Sequence, residues 1–489
     1  MATRTQSQEL RPTDDWPAFS ARAMAAAYLL VCLLPLALAG VSRSAPLDPV
    51  EAIGAGLGLS GMAAMVVQVV TSGRFRHVSG GMGIDRIMAF HKIAAYWVLL
   101  VLLLHPLAYV LPTFLDDPAR GVERLRAYLL LPDYRTGGAA LLALVVLVVM
   151  GVARAVFRYE AWRGSHVILA LIVLSAGMHH ALTVGRLSSI GPLHWAWWAA
   201  AGVVVAAFAV LYGWRWFALH RRPWRLRAVN KKADRTWELH VDPAPGTAPL
   251  RYKAGQFVWM TEGARRFPLF DHPFSIASSP QREQLNLIIK EAGDFTRKIG
   301  DLAPGTLIGI DGPYGTFTLD RHHGDHVVLI AGGVGIAPIM GLLRDLVARR
   351  DPRPVRVAYA AGRPENMACL DEIEAAKTVL DLEVMLISEE PAEGWTNPTG
   401  LLDRGKLTEL LGGLDPERAV VLMCGPGAMV TQVSDMLLDV GVPMNGIVYE
   451  RFDYGGGLSA RQDRQRTHAF LGLFMMLSIS VIGLSVLLF

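Results

Sequence analysis

HKIAAYWVLLVLLLH (residues 91–105) and HVILALIVLSAGMHH (residues 166–180) are apolar runs with histidine at both ends. In each run the terminal histidines stand 14 residues apart, nearly four helical turns, so they share one helix face about 21 Å apart. His179 follows His166 by 13 residues and points to another side unless the helix bends or carries a π-bulge. Ionisable side chains inside a membrane are costly and usually serve a function. Two helices facing each other with this spacing offer two levels of paired imidazoles, and each level suits a bis-histidine haem. His91 then meets His166, and His105 meets His180 or His179. Packing histidines or a proton path would suit one isolated imidazole; matched spacing on two helices favours haem ligation.

Working outward, the 489-residue chain is 52% hydrophobic, with the excess before residue 218 and after residue 467. That exceeds the usual soluble mixture. A membrane-crossing helix needs about 20 mostly apolar residues. Six such runs precede residue 218: 23–40, 50–72, 88–111, 137–157, 164–184 and 195–217. The first has signal-peptide features, with Arg22 ahead of an apolar run ending Ala37-Leu38-Ala39, but the long polar stretch before it favours a retained helix.

Basic residues set orientation. Arg74, Arg76, Arg86 and Lys92 fall between runs two and three, Arg154, Arg158 and Arg163 between four and five, and Arg215, Arg221, Arg222, Arg225 and Arg227 after six. These regions are expected to be cytoplasmic. The loop between runs three and four carries Arg120, Arg124, Arg126 and Arg135, offset by Asp116, Asp117, Glu123 and Asp133. A last apolar run of 21 residues, 469–489, follows Arg461, Arg464 and Arg466 and predicts a seventh helix ending outside.

The three cysteines, Cys32, Cys369 and Cys424, make no CxxC or CxxCH, which argues against zinc, iron–sulfur clusters and c-type haem. A net charge of +4 is small for this length and does not suggest a nucleic-acid partner.

From Trp224 the pattern changes to short strands, WELHVD, GQFVWM, LNLIIK and TLIGIDG, separated by Gly, Pro and Asp. They predict a small antiparallel barrel ending near residue 320. Within it lie Asp271-His272-Pro273-Phe274-Ser275, Gly293-Asp294-Phe295-Thr296 and Gly312-Pro313-Tyr314-Gly315. An aromatic–Ser pair at a strand end can stack on a flat ring and hydrogen-bond its nitrogen, and Gly-rich turns let N–H groups approach a pyrophosphate. HVVLIAGGVGIAPIMGLLRDL (326–346) then reads as a buried strand, a turn at Gly332-Gly333-Val334-Gly335 and a helix with Pro338 in its first turn. A helix N-terminus behind glycines is a natural phosphate site. VRVAYAAG, LEVMLIS and AVVLMCGPG supply further strands of a doubly wound sheet, with Cys424-Gly425-Pro426 at the ligand edge.

These motifs, in this order, resemble the ferric reductase and NADPH oxidase superfamily, in the manner of a bacterial member. Its cytoplasmic half resembles ferredoxin–NADP reductase. The likeness covers about residues 50–454: HPFS at 272–275 is similar to the flavin motif, GGVGIAP at 332–338 to the nucleotide loop, and CGP at 424–426 to the nicotinamide-side motif. The His91/His105 and His166/His180 spacings are similar to the ferric reductase pattern, and His166/His179 to that of the NADPH oxidases. The resemblance implies His272 and Thr296 near the FAD pyrophosphate, Ser275 near flavin N5, and Phe274 packed on the flavin. Gly332, Gly333, Gly335 and Pro338 would shape the dinucleotide site, and Cys424 would sit near the nicotinamide. Phe452, in Tyr449-Glu450-Arg451-Phe452, would cover the flavin until nicotinamide displaces it.

The expected architecture is a multidomain membrane protein. It has a cytoplasmic tail (1–20), an all-α six-helix transmembrane haem-binding bundle (21–218) and an antiparallel β-barrel FAD domain (219–320). An α/β doubly wound NAD(P)H domain (321–454) and a linker with one C-terminal transmembrane helix (455–489) complete it. The expected activity passes electrons from cytoplasmic NAD(P)H through FAD and two b-type haems, in the cell inner membrane, to an outer acceptor such as a ferric chelate or oxygen. A haem-relay subunit reducing quinone or a partner protein is the alternative, and a redox sensor or transporter without electron relay is the reading from another class. Arg363, after a strand of the nucleotide domain, is placed to pair with a 2′-phosphate, which favours NADPH and leaves NADH open. The last helix, absent from the family pattern, has three candidate roles: restricting Phe452, holding the reductase domains to the lipid membrane, or recruiting a membrane partner.

Overall fold

The structure is a computed structural model that describes residues 20–41, 46–79, 83–185, 187–189, 191–263, 267–452 and 460–489. The tail expected at 1–20, apart from Ser20, and the linker glycines Gly455–Gly457 lie outside these residues. The described residues divide into two compact units: 215–464, and 20–214 together with 465–489.

In the second unit, the helices are α1 (Ala21–Val41), α2 (Pro49–Val70), α3 (Ile84–Asp116), α4 (Pro118–Leu130), α5 (Arg135–Val152), α6 (Tyr159–Thr183) and α7 (Gly191–Phe208). Seven helices of the whole chain are long and apolar enough to cross a membrane among the described residues, the last being Arg461–Leu488. Helix α3 runs past its expected end, 111, to Asp116. The stretch after it, expected as a loop, forms α4. Asp117 caps α4 by accepting from the N–H groups of Ala119 and Arg120. Arg120 pairs with Asp117 at 3.3 Å and Arg124 with Glu51 of α2 at 3.1 Å. Part of the positive charge of this stretch is thus paired locally.

Helix α2 is the centre of this unit because its small residues admit close neighbours. A Cβ on Gly54 would lie 3.0 Å from the Ala108 methyl of α3, one on Gly58 2.6 Å from the His105 ring, and one on Gly61 2.7 Å from Leu102. On another side, Gly56 faces Ser485 of the C-terminal helix. Small residues at such crossings allow backbone approach, the main source of packing energy between helices in lipid. The C-terminal helix adds Phe474, whose ring lies 5.6 Å from those of Phe90 and Trp97. Trp97 Nε1 also donates to Ser478 Oγ at 2.9 Å, a bond of the kind that contributes about 0.6–2 kcal/mol in a membrane.

In the Arg215–Arg464 unit, β1 (Trp224–Ala233), β2 (Thr236–Pro243), β3 (Phe257–Glu262), β4 (His272–Ser275), β5 (Leu285–Lys290) and β6 (Leu307–Tyr314) form an antiparallel sheet ordered β4-β3-β6-β1-β2-β5. The next part is a parallel sheet of β7 (His326–Gly332), β8 (Val355–Ala361), β9 (Leu382–Ser388), β10 (Ala419–Gly425) and β11 (Ile447–Arg451), ordered β11-β10-β7-β8-β9. Helix α8 (Ile336–Arg349) follows β7 and α9 (Gly427–Asp439) follows β10. Strand β7 is apolar from Val327 onward because both faces are covered, as in parallel sheets generally. Val327, Leu329 and Ala331 join the core cluster that includes α8, while Val328 and Ile330 join the one that includes α9.

The two sheets of this unit are locked by a buried charge cluster. Glu238 of β2 is 1% exposed. It accepts hydrogen bonds from Arg344 Nη1 at 2.8 Å and Asn286 Nδ2 at 2.9 Å, and lies 3.0 Å from Lys232 Nζ and 3.5 Å from His240 Nε2. Arg344, in α8, also donates to the Ala277 carbonyl at 2.9 Å and pairs with Glu372 at 2.7 Å. Burial alone works against a charge on Glu238, but His240, Arg344 and Lys232 hold its carboxyl well below the usual carboxylate range. Its contribution is therefore complete above that range and lost as pH falls through the depressed value. Removing one partner of a buried pair costs about 3–5 kcal/mol. Glu238→Gln is expected to lower the melting temperature of the detergent-purified protein at neutral pH, with the gap to wild type narrowing below about pH 4; a gap independent of pH would contradict this account.

Candidate functional site

The parallel sheet changes direction between β7 and β10, and in such sheets ligands bind beyond the carboxyl ends of the strands at that point. Here β7 ends at Gly332 and β10 at Gly425. The two turns are so close that side chains do not fit. A Cβ on Gly425 would stand 3.0 Å from the Gly332 Cα, and one on Gly335 would run into the Cys424 carbonyl. Gly333 has φ +53°, in the left-handed region where glycine carries no penalty. The turn delivers the N-terminus of α8, which no side chain caps, and a helix N-terminus behind glycines suits an anionic group. Pro338 is buried in that first turn.

A cavity of about 280 Å³ opens here, lined by Lys290, Gly332, Gly333, Val334, Pro426 and Phe452. The structure thus brings Gly332, Gly333, Pro426 and Phe452 together around one cavity. Phe452 is 41% exposed. Lys290, at the end of β5, is a lining residue that the sequence reading missed. Its one signal was a cation closing a strand that is apolar but for Asn286. Cys424 is fully buried, within the core cluster that includes α8.

The expected flavin residues sit on or beside β4. This strand pairs antiparallel with β3, setting Ser275 opposite Phe257 and Phe274 opposite Val258. The His272 ring stacks on Phe295 with centroids 4.1 Å apart, and Phe274 lies 6.1 Å from the same ring. Pro273 pairs with Trp259. Thr296 Oγ1 accepts from the N–H groups of Ala292 and Gly293 at 2.8 and 2.9 Å, so this hydroxyl shapes its own turn. Arg363, 59% exposed, donates from Nε to Glu390 Oε2 at 2.8 Å and lies 3.9 Å from Glu365. Its guanidinium is flanked by carboxylates, a feature that the isolated RPEN turn did not disclose.

In the helical unit, His91 of α3 and His166 of α6 face each other with ring centroids 6.4 Å apart. A metal bridging two imidazole nitrogens at about 2 Å each separates the ring centres by about 6 Å, so this pair fits a bis-histidine iron. His91 Nδ1 and His180 Nδ1 are buried without hydrogen-bond partners. His105 Nδ1 lies 2.7 Å from the Gly54 carbonyl, an arrangement that orients a ligand imidazole and leaves Nε2 to bind metal. The His180 ring rests where a Cβ on Gly137 would come within 2.8 Å of its Nδ1. His179 is exposed, 3.4 Å from Thr136 Oγ1. Among the described residues no group of three or more His, Cys, Asp or Glu could hold a bare metal ion; a haem iron needs only two axial side chains.

Comparison with known proteins agrees in outline. The ferric reductase like transmembrane component matches residues 57–177, an FAD-binding domain residues 224–318, and an oxidoreductase NAD-binding domain residues 329–435. The reductase component of propane 2-monooxygenase from Mycolicibacterium smegmatis is 33% identical over 239 residues, 47% of this chain and 66% of that protein. The match therefore spans just under two thirds of that relative. The gamma subunit of sulfhydrogenase 2 from Pyrococcus furiosus is 31% identical over 204 residues, 39% of this chain and 68% of that protein. Among solved structures, the FAD/NAD-binding domain of nitric oxide dioxygenase from Vibrio cholerae is 19% identical, with a TM-score of 0.42 over 47% of this chain and 98% of that one. The chain belongs to the ferric reductase and NADPH oxidase superfamily: a multi-pass membrane protein and NAD(P)H-dependent oxidoreductase, in which a ferric reductase-like transmembrane component precedes FAD- and NAD-binding domains.

Proposed function

We propose that this protein carries electrons from cytoplasmic NAD(P)H across the cell inner membrane to an acceptor at the outer face, a ferric chelate or oxygen. The observation that carries the reading is the facing pair on α3 and α6, His91 and His166, with ring centroids 6.4 Å apart; His105 and His180 would supply the second level. Bound FAD would take a two-electron hydride and release its electrons singly, as haem iron requires.

The chain's own task is to hold and separate. Gly332, Gly333, Gly335 and Pro338 admit the dinucleotide to the switch-point cleft, and Gly425 and Pro426 form its opposite wall. His272, Phe274 and Ser275 present one edge of the antiparallel sheet to the flavin, and Thr296 keeps the neighbouring turn in shape for the pyrophosphate. Lys290 places a positive charge where nucleotide and flavin meet. His91 with His166, and His105 with His180, would be axial ligands of two b-type haems. His180 is preferred to His179 because its ring nitrogen is buried and unpartnered while His179 is exposed. The basic residues after α2, α5 and α7 support placing the reductase domains in the cytoplasm.

An anaerobic absorption spectrum of the detergent-purified protein, before and after NADH or NADPH, tests the reading. Flavin bleaching followed by reduced b-type bands is expected; flavin without haem in a fully loaded preparation would remove the relay. His91→Ala and His166→Ala are expected to lose one and the same haem, His105→Ala and His180→Ala the other, and His179→Ala neither. Loss of the same haem from His91→Ala and His105→Ala would sink the two-level arrangement.

Donor choice follows from Arg363. With Glu390 on its guanidinium, a 2′-phosphate must displace a carboxylate and then sit beside it, which favours NADH. Glu390→Gln is expected to raise kcat/KM for NADPH relative to NADH by about tenfold, the scale of one charge-assisted contact. An unchanged ratio would exclude Arg363 from donor discrimination.

A further inference from the structure

Phe452 stands in the switch-point cleft at the end of β11, and β11 has one strand neighbour, β10, with Gly425 opposite Arg451 as the last pair. The strand therefore depends on other contacts to fix its end. Tyr449 and Arg451 are two residues apart, so they leave the same face of the strand, while Phe452 continues the alternation toward the other. Asp463, in the first turn of the C-terminal helix, grips the Tyr449–Arg451 face. Its Oδ1 accepts from the Tyr449 hydroxyl at 2.7 Å and its Oδ2 from Arg451 Nη2 at 2.6 Å. Arg451 also donates to Thr431 Oγ1 of α9 at 3.2 Å and lies 5.1 Å over the Tyr449 ring.

The turn that carries Asp463 is itself anchored. The Arg461 N–H donates to Asp435 Oδ1 at 2.9 Å, its guanidinium to Asp439 at 2.8 Å, and Gln462 Nε2 to the Met444 carbonyl at 2.5 Å. From sequence the last helix was expected to begin at 469, but it begins at Arg461, eight residues earlier. Its first three residues, Arg461, Gln462 and Asp463, bind this domain through polar groups.

We infer that Asp463 is a positioning residue for hydride delivery: through Tyr449 and Arg451 it holds Phe452 in the cleft, where the ring competes with the nicotinamide for space. The inference rests on the reading of this cleft as the nicotinamide site. A nucleotide that binds only when Phe452 has left pays for the fraction of molecules in which it has not. Weakening the clamp raises the vacant fraction, so the nucleotide binds more tightly and leaves more slowly.

The test uses the detergent-purified full chain and the dissociation constant of NAD⁺ and NADP⁺, read from the flavin difference spectrum, beside stopped-flow flavin reduction. Asp463→Asn is expected to lower the dissociation constant about fivefold, with KM and kcat falling together. Tyr449→Phe, which removes one of the two bonds without changing charge, is expected to shift it the same way by less, and Asp463→Glu to restore the wild-type value. In a Phe452→Ala background Asp463→Asn is expected to have no further effect. An unchanged dissociation constant in Asp463→Asn, or an equal change with and without Phe452, would overturn the inference while leaving the cleft assignment intact. A wild-type flavin reduced by neither NADH nor NADPH would instead overturn the cleft assignment, and this inference with it.

Discussion

Close approach of backbones at α2 is the constraint on which the helical unit depends. Gly54, Gly58 and Gly61 let α3 come near enough that the Gly54 carbonyl reaches His105 Nδ1. Gly56 admits the C-terminal helix on another side, and Met62 meets Gly177 of α6, where a Cβ would lie 3.3 Å from its sulfur. In lipid there is no hydrophobic gain from bringing apolar helices together, so contact area and a few polar bonds must supply the packing energy. The same small residues that allow this contact also create the seats for imidazole rings. Helix packing and the placement of the His105 ring therefore come from one set of positions, and a larger side chain at Gly58 would strike both.

The reductase unit solves a different problem, since its two sheets must hold a flavin and a nucleotide in fixed register. It does so with a shared apolar core, in which Ala277, Ile288 and Phe317 join residues of β7, β8 and α8, and with the Glu238 cluster across the seam. The ionic part is costly to bury and adds little net stability over an apolar substitute. Its value is directional: Arg344 satisfies Glu238, Glu372 and the Ala277 carbonyl only in one relative placement of α8 and β2.

What was legible in the sequence had a local cause. Apolar runs of spanning length, histidines 14 residues apart and glycines between a buried strand and a helix each follow from helix periodicity or turn sterics. Helix α4 was not legible because its charges resemble those of a loop until Asp117 is seen to cap it and Arg124 to reach Glu51. The start of the last helix was hidden for the same reason, since Arg461, Gln462 and Asp463 carry no apolar signal. Lys290, Glu390 and Asp463 join partners or cavities far away in the chain, and no periodicity encodes such meetings. Arg363 shows the limit most clearly: its residue type suggested a phosphate partner, and its carboxylate neighbour Glu390 comes from beyond β9.

Strand β11 lies at the edge of a sheet whose inner strands are buried on both faces. Local opening in proteins draws on the segments with fewest supporting contacts, and its free energy can be far smaller than that of global unfolding. β11 ends at the cleft as an edge strand, so the hold on its end falls to β10 and to the bonds of Tyr449 and Arg451 with Asp463. β7 and β10, which carry the glycine turns, are paired from His326–Ala419 to Ala331–Cys424, a ladder that a displacement of Phe452 would not need to break.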